Sequence, residues 1–299
     1  MKKHLLISGM LLLFLACKKN ENTSKDQKLQ NDSIVALNQR AKTGLESAVG
    51  GIIFTTTDNL EASKELDVHL LAKVASQLNI KYSDIKLDKT SSISYDNVVF
   101  FVIAYKDVIG NEEKDISIDR KYVFAHKVNG KILAEESDAS LGHLEDEVVQ
   151  ASKTYIFKNL LKLNATTPGI AFYTELNSGG TQVQFWQRKF TILTFENNTI
   201  KKVLYNYTIG RGNTSTIDGN TDQTETLESG LRISDAQTNG FNDLIISKKF
   251  LYEETNMTDD LDVKANTKTK NETEILKYNG KNYTFETVDK MRFLSNSIE

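Results

Sequence analysis

Two periodicities divide the chain. Apolar residues at Ile34, Leu37, Ala41, Leu45 and Ala48 recur at helical spacing, with Asp32 or Ser33 placed to cap the start and Gly50-Gly51 to stop it. Leu66, Leu70, Leu71, Val74, Ala75 and Leu78 repeat that spacing after Ser63, so one or two N-terminal helices are expected, the second ending near Asn79. Beyond residue 80 the period shortens. Residues 98–105 form an unbroken β-branched and aromatic run, the pattern of a strand covered on both faces.

A unit of strand, tight polar turn and strand then recurs. It appears around Asn129-Gly130, around Asn197-Asn198 and around Asn279-Gly280, each flanked by Val, Ile, Leu, Phe or Tyr. Asn and Gly tolerate positive φ, which a two-residue hairpin turn demands. Further strands are expected at 170–175, 182–188, 201–208 and 243–252. Successive hairpins without intervening helices predict a mainly β fold, an antiparallel meander of hairpins, with an irregular β-propeller-like array as one way to close it. The polar stretch 138–154 reads as a short helix or a linker, and 255–274 as a long exposed loop. The expected division is an N-terminal α+β part at 33–140 and a mainly β part at 141–299, as one domain or two.

The start of the chain carries an address. Lys2 and Lys3 precede a largely apolar run at residues 5–15, too short for the roughly twenty apolar residues a spanning helix needs but right for the core of a secretory signal. Phe14-Leu15-Ala16-Cys17 closes it, and this resembles the lipobox of bacterial lipoproteins. The resemblance implies that residues 1–16 are a signal peptide and that Cys17 becomes the acylated N-terminus, carrying palmitate-type chains that tie the protein to a membrane. Cys17 is the chain's only cysteine, so no intramolecular disulfide competes for it. Residues 17–32 are almost wholly polar and predict a flexible tether. The Cys-Lys-Lys-Asn-Glu start is similar to lipoproteins of Bacteroidota, which implies a place in the cell envelope, at the outer membrane.

Composition narrows the chemistry. With 37 basic against 40 acidic residues, a formal charge of -3 and no Lys/Arg stripe, nucleic acid is not an expected partner. Serine-hydrolase elbows, P-loops and zinc-binding His spacings are absent from the sequence.

The one motif with metal-binding spacing is Asp235, Gln237, Asn239, Gly240, Phe241 and Asp243, in which oxygen-bearing groups alternate around a glycine and a strand follows at once. Calcium takes six to eight oxygens, and this spacing lets side chains and the Phe241 carbonyl point inward. The loop resembles those of calcium-binding β-repeat families such as FG-GAP and VCBS, which implies calcium as a ligand. The alternative is that Asn239-Gly240 is a hairpin turn with Asp235 and Asp243 capping loop amides. Trp186, the single Trp, lies in an aromatic strand where it either packs in the core or stacks on a sugar or peptide.

Three functions therefore stand in order: a non-catalytic binding module for a glycan, peptide or protein on a β scaffold; a structural envelope component; and a glycan-acting hydrolase using loop carboxylates such as Glu253/Glu254 or Asp259/Asp260.

Overall fold

The computed structural model describes residues 66–108, 116–138, 149–178, 183–217, 220–257 and 262–285. The signal-like run, Cys17, the tether, the first expected helix and Asp259/Asp260 lie outside these residues. The helix that follows Ser63 is α1 (Val68–Gln77). Asp67 caps it by accepting a hydrogen bond from the Leu70 amide at 2.9 Å, and Asn79, at φ +58°, turns the chain out of it.

Twelve strands follow among the described residues: β1 (Ser91–Tyr95), β2 (Val98–Val108), β3 (Ile116–His126), β4 (Ile132–Asp138), β5 (Val149–Ile156), β6 (Leu161–Lys162), β7 (Pro168–Ser178), β8 (Val183–Glu196), β9 (Thr199–Ile217), β10 (Thr221–Thr238), β11 (Phe241–Met257) and β12 (Asp262–Leu276). They make two antiparallel sheets. One has the order β1-β2-β3-β4; the other runs β12-β11-β10-β9-β8-β7-β5, with β6 beside β7. The fold is mainly β, a meander of hairpins, stacked as two sheets rather than arranged as propeller blades. The only proline, Pro168, opens β7, where its missing N–H is tolerated.

Alternation along the strands builds the layers. On β2, Val98, Phe100 and Val102 face the larger sheet, while Val99, Phe101 and Ile103 face Leu70, Leu71, Val74 and Ala75 of α1. That double coverage is why residues 98–105 are continuously apolar. Between the sheets, Phe124 stacks on Phe195 with centroids 4.7 Å apart and lies 4.9 Å from Phe100, while Tyr122 meets Phe172 at 5.2 Å. On the other face of the larger sheet, Ala171, Tyr173 and Phe190 join a cluster closed by Tyr278 and Tyr283.

Three expectations are corrected. Asn279-Gly280 does not join two strands: β12 ends at Leu276, and among the described residues only an isolated bridge between Tyr278 and Tyr283 spans that turn. Residues 255–274 are not a loop: β11 continues to Met257 and 262–276 is a full strand in register with it, Phe250 opposite Lys270 and Ile246 opposite Glu274. Within 138–154, residues 149–154 belong to β5 rather than to a helix or linker.

Among the described residues, the apolar layer between the sheets encloses one ion pair. Arg120 of β3 and Asp138 of β4 sit opposite each other in register, both almost fully buried, with Nη2 2.7 Å from Oδ2. Tyr122 and, from the other sheet, Tyr205 donate hydroxyl hydrogen bonds to the same carboxylate. Arg120 Nη1 donates to Thr154 of β5 and Thr174 of β7, whose hydroxyls hydrogen-bond at 3.0 Å. Five strands of two sheets thus meet on one salt bridge. Replacing only Asp138, as Asp138→Leu, strands a buried guanidinium and is expected to cost about 3–5 kcal/mol, whereas Arg120→Met/Asp138→Leu recovers much of the loss. Urea unfolding midpoints read both; equal midpoints for the single and double variants would show that the pair does not tie the sheets.

Candidate functional site

The Asp235–Asp243 segment is the β10–β11 hairpin. Asn239 and Gly240 have φ of +50° and +87°, making the two-residue turn, with Thr238 opposite Phe241. The Gln237 amide donates to Asn242 Oδ1 at 2.8 Å, and the Asn239 amide donates to the Tyr278 carbonyl at 2.8 Å. Phe241 stacks on Tyr278 at 4.3 Å. Asp235 is exposed beside a register slip between Ile233 and Gln237, whereas Asp243 is buried, its Oδ1 without a hydrogen-bond partner among the described residues. No group of three His, Cys, Asp or Glu side chains able to hold a metal occurs among the described residues. Two carboxylates of unlike exposure around a two-residue turn do not fit the six to eight oxygens calcium requires, so no step is assigned to that ion.

Trp186 leads to a different place. It stands opposite Gly212 in the β8–β9 register, and its indole lies across β9 where a side chain would otherwise rise: a Cβ on Gly212 would come 2.1 Å from Nε1, and one on Gly210 would come 3.1 Å from the ring. Gly210 and Gly212 are therefore the seat of the indole, which remains partly exposed. Arg188, opposite Gly210, holds its guanidinium 5.1 Å from the Trp186 ring and 5.6 Å from the Tyr173 ring. Glu175, opposite Arg188 on β7, accepts from Nε at 3.1 Å. Tyr155 of β5 stacks on Tyr173 at 4.9 Å and hydrogen-bonds Glu175.

The result is a row across four strands, in the order Tyr155, Tyr173 with Glu175, Arg188 with Trp186, then bare glycine backbone. It joins aromatic faces to one fixed charge pair. Both members of that pair are about a quarter exposed (24% for Arg188 and 23% for Glu175), so the charges are reachable from solvent. Tyr173 is itself buried beneath Tyr155 and Arg188, so the partly exposed rings of Trp186 and Tyr155 are the ones that can stack on a ring or sugar face, while the guanidinium donates and the carboxylate accepts. Sequence reading singled out Trp186 but missed Tyr155, Tyr173, Glu175 and Arg188, because only the strand register makes them neighbours.

Electrostatics fix the protonation of the row. Burial pushes the Tyr173 hydroxyl up to about 12; Arg188 opposes the shift and Glu175 adds to it. Tyr155 is raised for the same first reason, with Glu175 beside it. Of the paired carboxylates weighed for hydrolysis, Asp259 and Asp260 lie outside the described residues, and Glu253 and Glu254 are consecutive on β11, which directs them to opposite faces. Glu254 instead accepts from Tyr252 at 2.5 Å and from Gln223 at 3.2 Å. No known protein family, curated protein or solved structure matches the chain.

Gly212→Ala drives a methyl into the indole and is expected to cost about 1–3 kcal/mol, while Trp186→Ala/Gly212→Ala removes the clash. A double-mutant cycle by urea unfolding measures the coupling, and additive costs would deny the seat. The pH dependence has a definite sign. A tyrosine whose folded pKa is raised stabilises fully below its ordinary value near 10 and loses that contribution as pH rises through its folded value, here about 12. The melting temperature is therefore expected to fall between pH 10 and 12, less steeply in Tyr173→Phe, as followed by circular dichroism.

Proposed function

We propose that this chain is a lipid-anchored protein of the bacterial cell envelope that binds a glycan without transforming it. The row from Tyr155 to Trp186 carries the reading. Sugars are bound by stacking their apolar faces on aromatic rings while charged side chains engage the hydroxyls, and this row supplies both on a rigid sheet. Its guanidinium is held between two rings and a carboxylate, so little ordering remains to be done on binding. The lipobox-like Phe14-Leu15-Ala16-Cys17 supports the anchor, and the polar stretch 17–32 suits a tether between membrane and folded part.

Trp186 is the single Trp, so its emission reports on the row alone. Titration with soluble peptidoglycan fragments and envelope oligosaccharides is expected to shift or quench that emission, and Arg188→Met to weaken binding about tenfold while the fold is retained. Unchanged emission across such a panel would reject glycan binding here. The anchor is tested separately: the expressed protein enters the detergent phase on phase separation and incorporates labelled palmitate, and Cys17→Ala abolishes both. A Cys17→Ala protein that still partitions with detergent would remove the lipid anchor from the reading.

A further inference from the structure

Strand β12 ends the larger sheet, pairing with β11 on one side and with no strand on the other among the described residues. Its outer row of backbone N–H and C=O groups is a template for another strand. Proteins commonly guard such an edge with charge, which works because an incoming copy then meets like charges. The pattern on β12 is different. Residues 268–274 read Lys-Thr-Lys-Asn-Glu-Thr-Glu, and the charges invert about Asn271.

The four charged side chains alternate onto one face of the strand. There Lys270 pairs with Glu272 at 2.6 Å and Glu274 with Lys248 of β11 at 2.6 Å, so their positions are held within the chain. The opposite face is exposed at Thr267, Thr269, Asn271, Thr273 and Ile275, and Ile275, at 54% exposure, is a large apolar side chain left in solvent.

We propose that β12 is a self-recognition edge, and that two copies of this chain dimerise by pairing β12 antiparallel with β12 about a two-fold axis through Asn271. In that register each Lys270 lies opposite Glu272 of the second copy, and each Lys268 opposite Glu274. On the other face Thr269 meets Thr273, and Ile275 meets Thr267, whose methyl covers part of it. A slip by two residues in either direction places Lys opposite Lys or Glu opposite Glu, so the charges select the register as well as the partner. A C2 contact of this kind is closed: it consumes both edges and does not grow into a fibre.

The test uses the full chain. Sedimentation over a micromolar concentration series is expected to show a monomer–dimer equilibrium that weakens with salt. Lys270→Glu makes positions 270 and 272 both acidic, and Glu272→Lys makes them both basic. Each variant alone is expected to raise the dimer Kd at least about tenfold, their equimolar mixture to form a heterodimer, and Lys270→Glu/Glu272→Lys to restore the homodimer. Rescue by mixing or by the double exchange separates lost pairing from lost folding.

Register is read by disulfide trapping in a Cys17→Ala background. Asn271→Cys brings the two copies' Cα atoms to about 5 Å and cross-links. Thr267→Cys leaves them roughly 27 Å apart and does not. A wild-type chain that stays monomeric throughout the series, a dimer indifferent to both charge reversals, or cross-linking at 267 in place of 271 would overturn the proposal.

Discussion

The salt bridge between Arg120 and Asp138 is the constraint on which the architecture turns. A layer of Phe100, Phe124, Phe172 and Phe195 buries much apolar surface, but stacked rings tolerate small displacements of one sheet over the other. A buried guanidinium and carboxylate do not, because each polar atom left without a partner in that layer costs about 1–3 kcal/mol, and more for a charge. In the observed stacking Thr154, Thr174 and Tyr205 of the larger sheet all reach the pair formed by β3 and β4, and a displacement of either sheet would break these bonds. Desolvation explains why the tyrosines there keep their protons. Burial drives the Tyr122 and Tyr205 hydroxyls above their ordinary range, which favours the neutral form that donates to Asp138.

That fixed stacking sets where the row from Tyr155 to Trp186 stands. Alternation on β7 sends Phe172 and Thr174 toward the salt bridge and Tyr173 and Glu175 to the other face. The side chains that lock the sheets and those that build the row are therefore neighbours along one strand. The glycines at 210 and 212 would weaken β9 if left bare, since they bring no side chain to pack. Trp186 and Arg188 cover them from the adjacent strand, so the feature that lowers strand propensity is also what lets an indole lie flat on the sheet.

Much of this was legible in the sequence where local pattern and local structure coincide. The spacing from Leu66 to Leu78 and Asn79 specify α1 and its C-terminal end, whereas its cap, Asp67, is not singled out by that pattern. Residues 98–105 announce a strand with both faces covered, and Asn197-Asn198 and Asn239-Gly240 announce their turns. The failures have one physical origin. Residues 262–276 alternate between two polar faces, so the period-two signal that depends on apolar contrast is silent there, and the strand reads as a loop. Arg120 sits between Asp119 and Lys121, and Asp138 follows Glu135, Glu136 and Ser137, so neither differs in its local sequence from a solvated charge. Their burial, like the meeting of Tyr173, Glu175, Arg188 and Trp186, is a property of register, which one strand does not encode. The spacing from Asp235 to Asp243 is ambiguous in the complementary way: a hairpin turn needs Asn, Gly and flanking polar groups for the same conformational reasons that a calcium loop does, and the turn is what Asn239 and Gly240 form.

A sheet extended by polar strands must be held by something other than an apolar face. Thr214 and Thr224 hydrogen-bond across β9 and β10 at 3.1 Å, Gln223 donates to Glu254 across β10 and β11 at 3.2 Å, and Lys248 pairs with Glu274 across β11 and β12. Such cross-strand pairs contribute roughly 0.2–1 kcal/mol each, and their number, rather than the strength of any one, keeps the strands in register. Tyr207 shows how the two regimes join: its ring is buried in the apolar cluster while its hydroxyl donates to Glu274 at 2.7 Å. Burial and that carboxylate together raise its pKa, which favours the protonated, donating form. The sheet can thus leave polar surface in solvent while its strands stay in register.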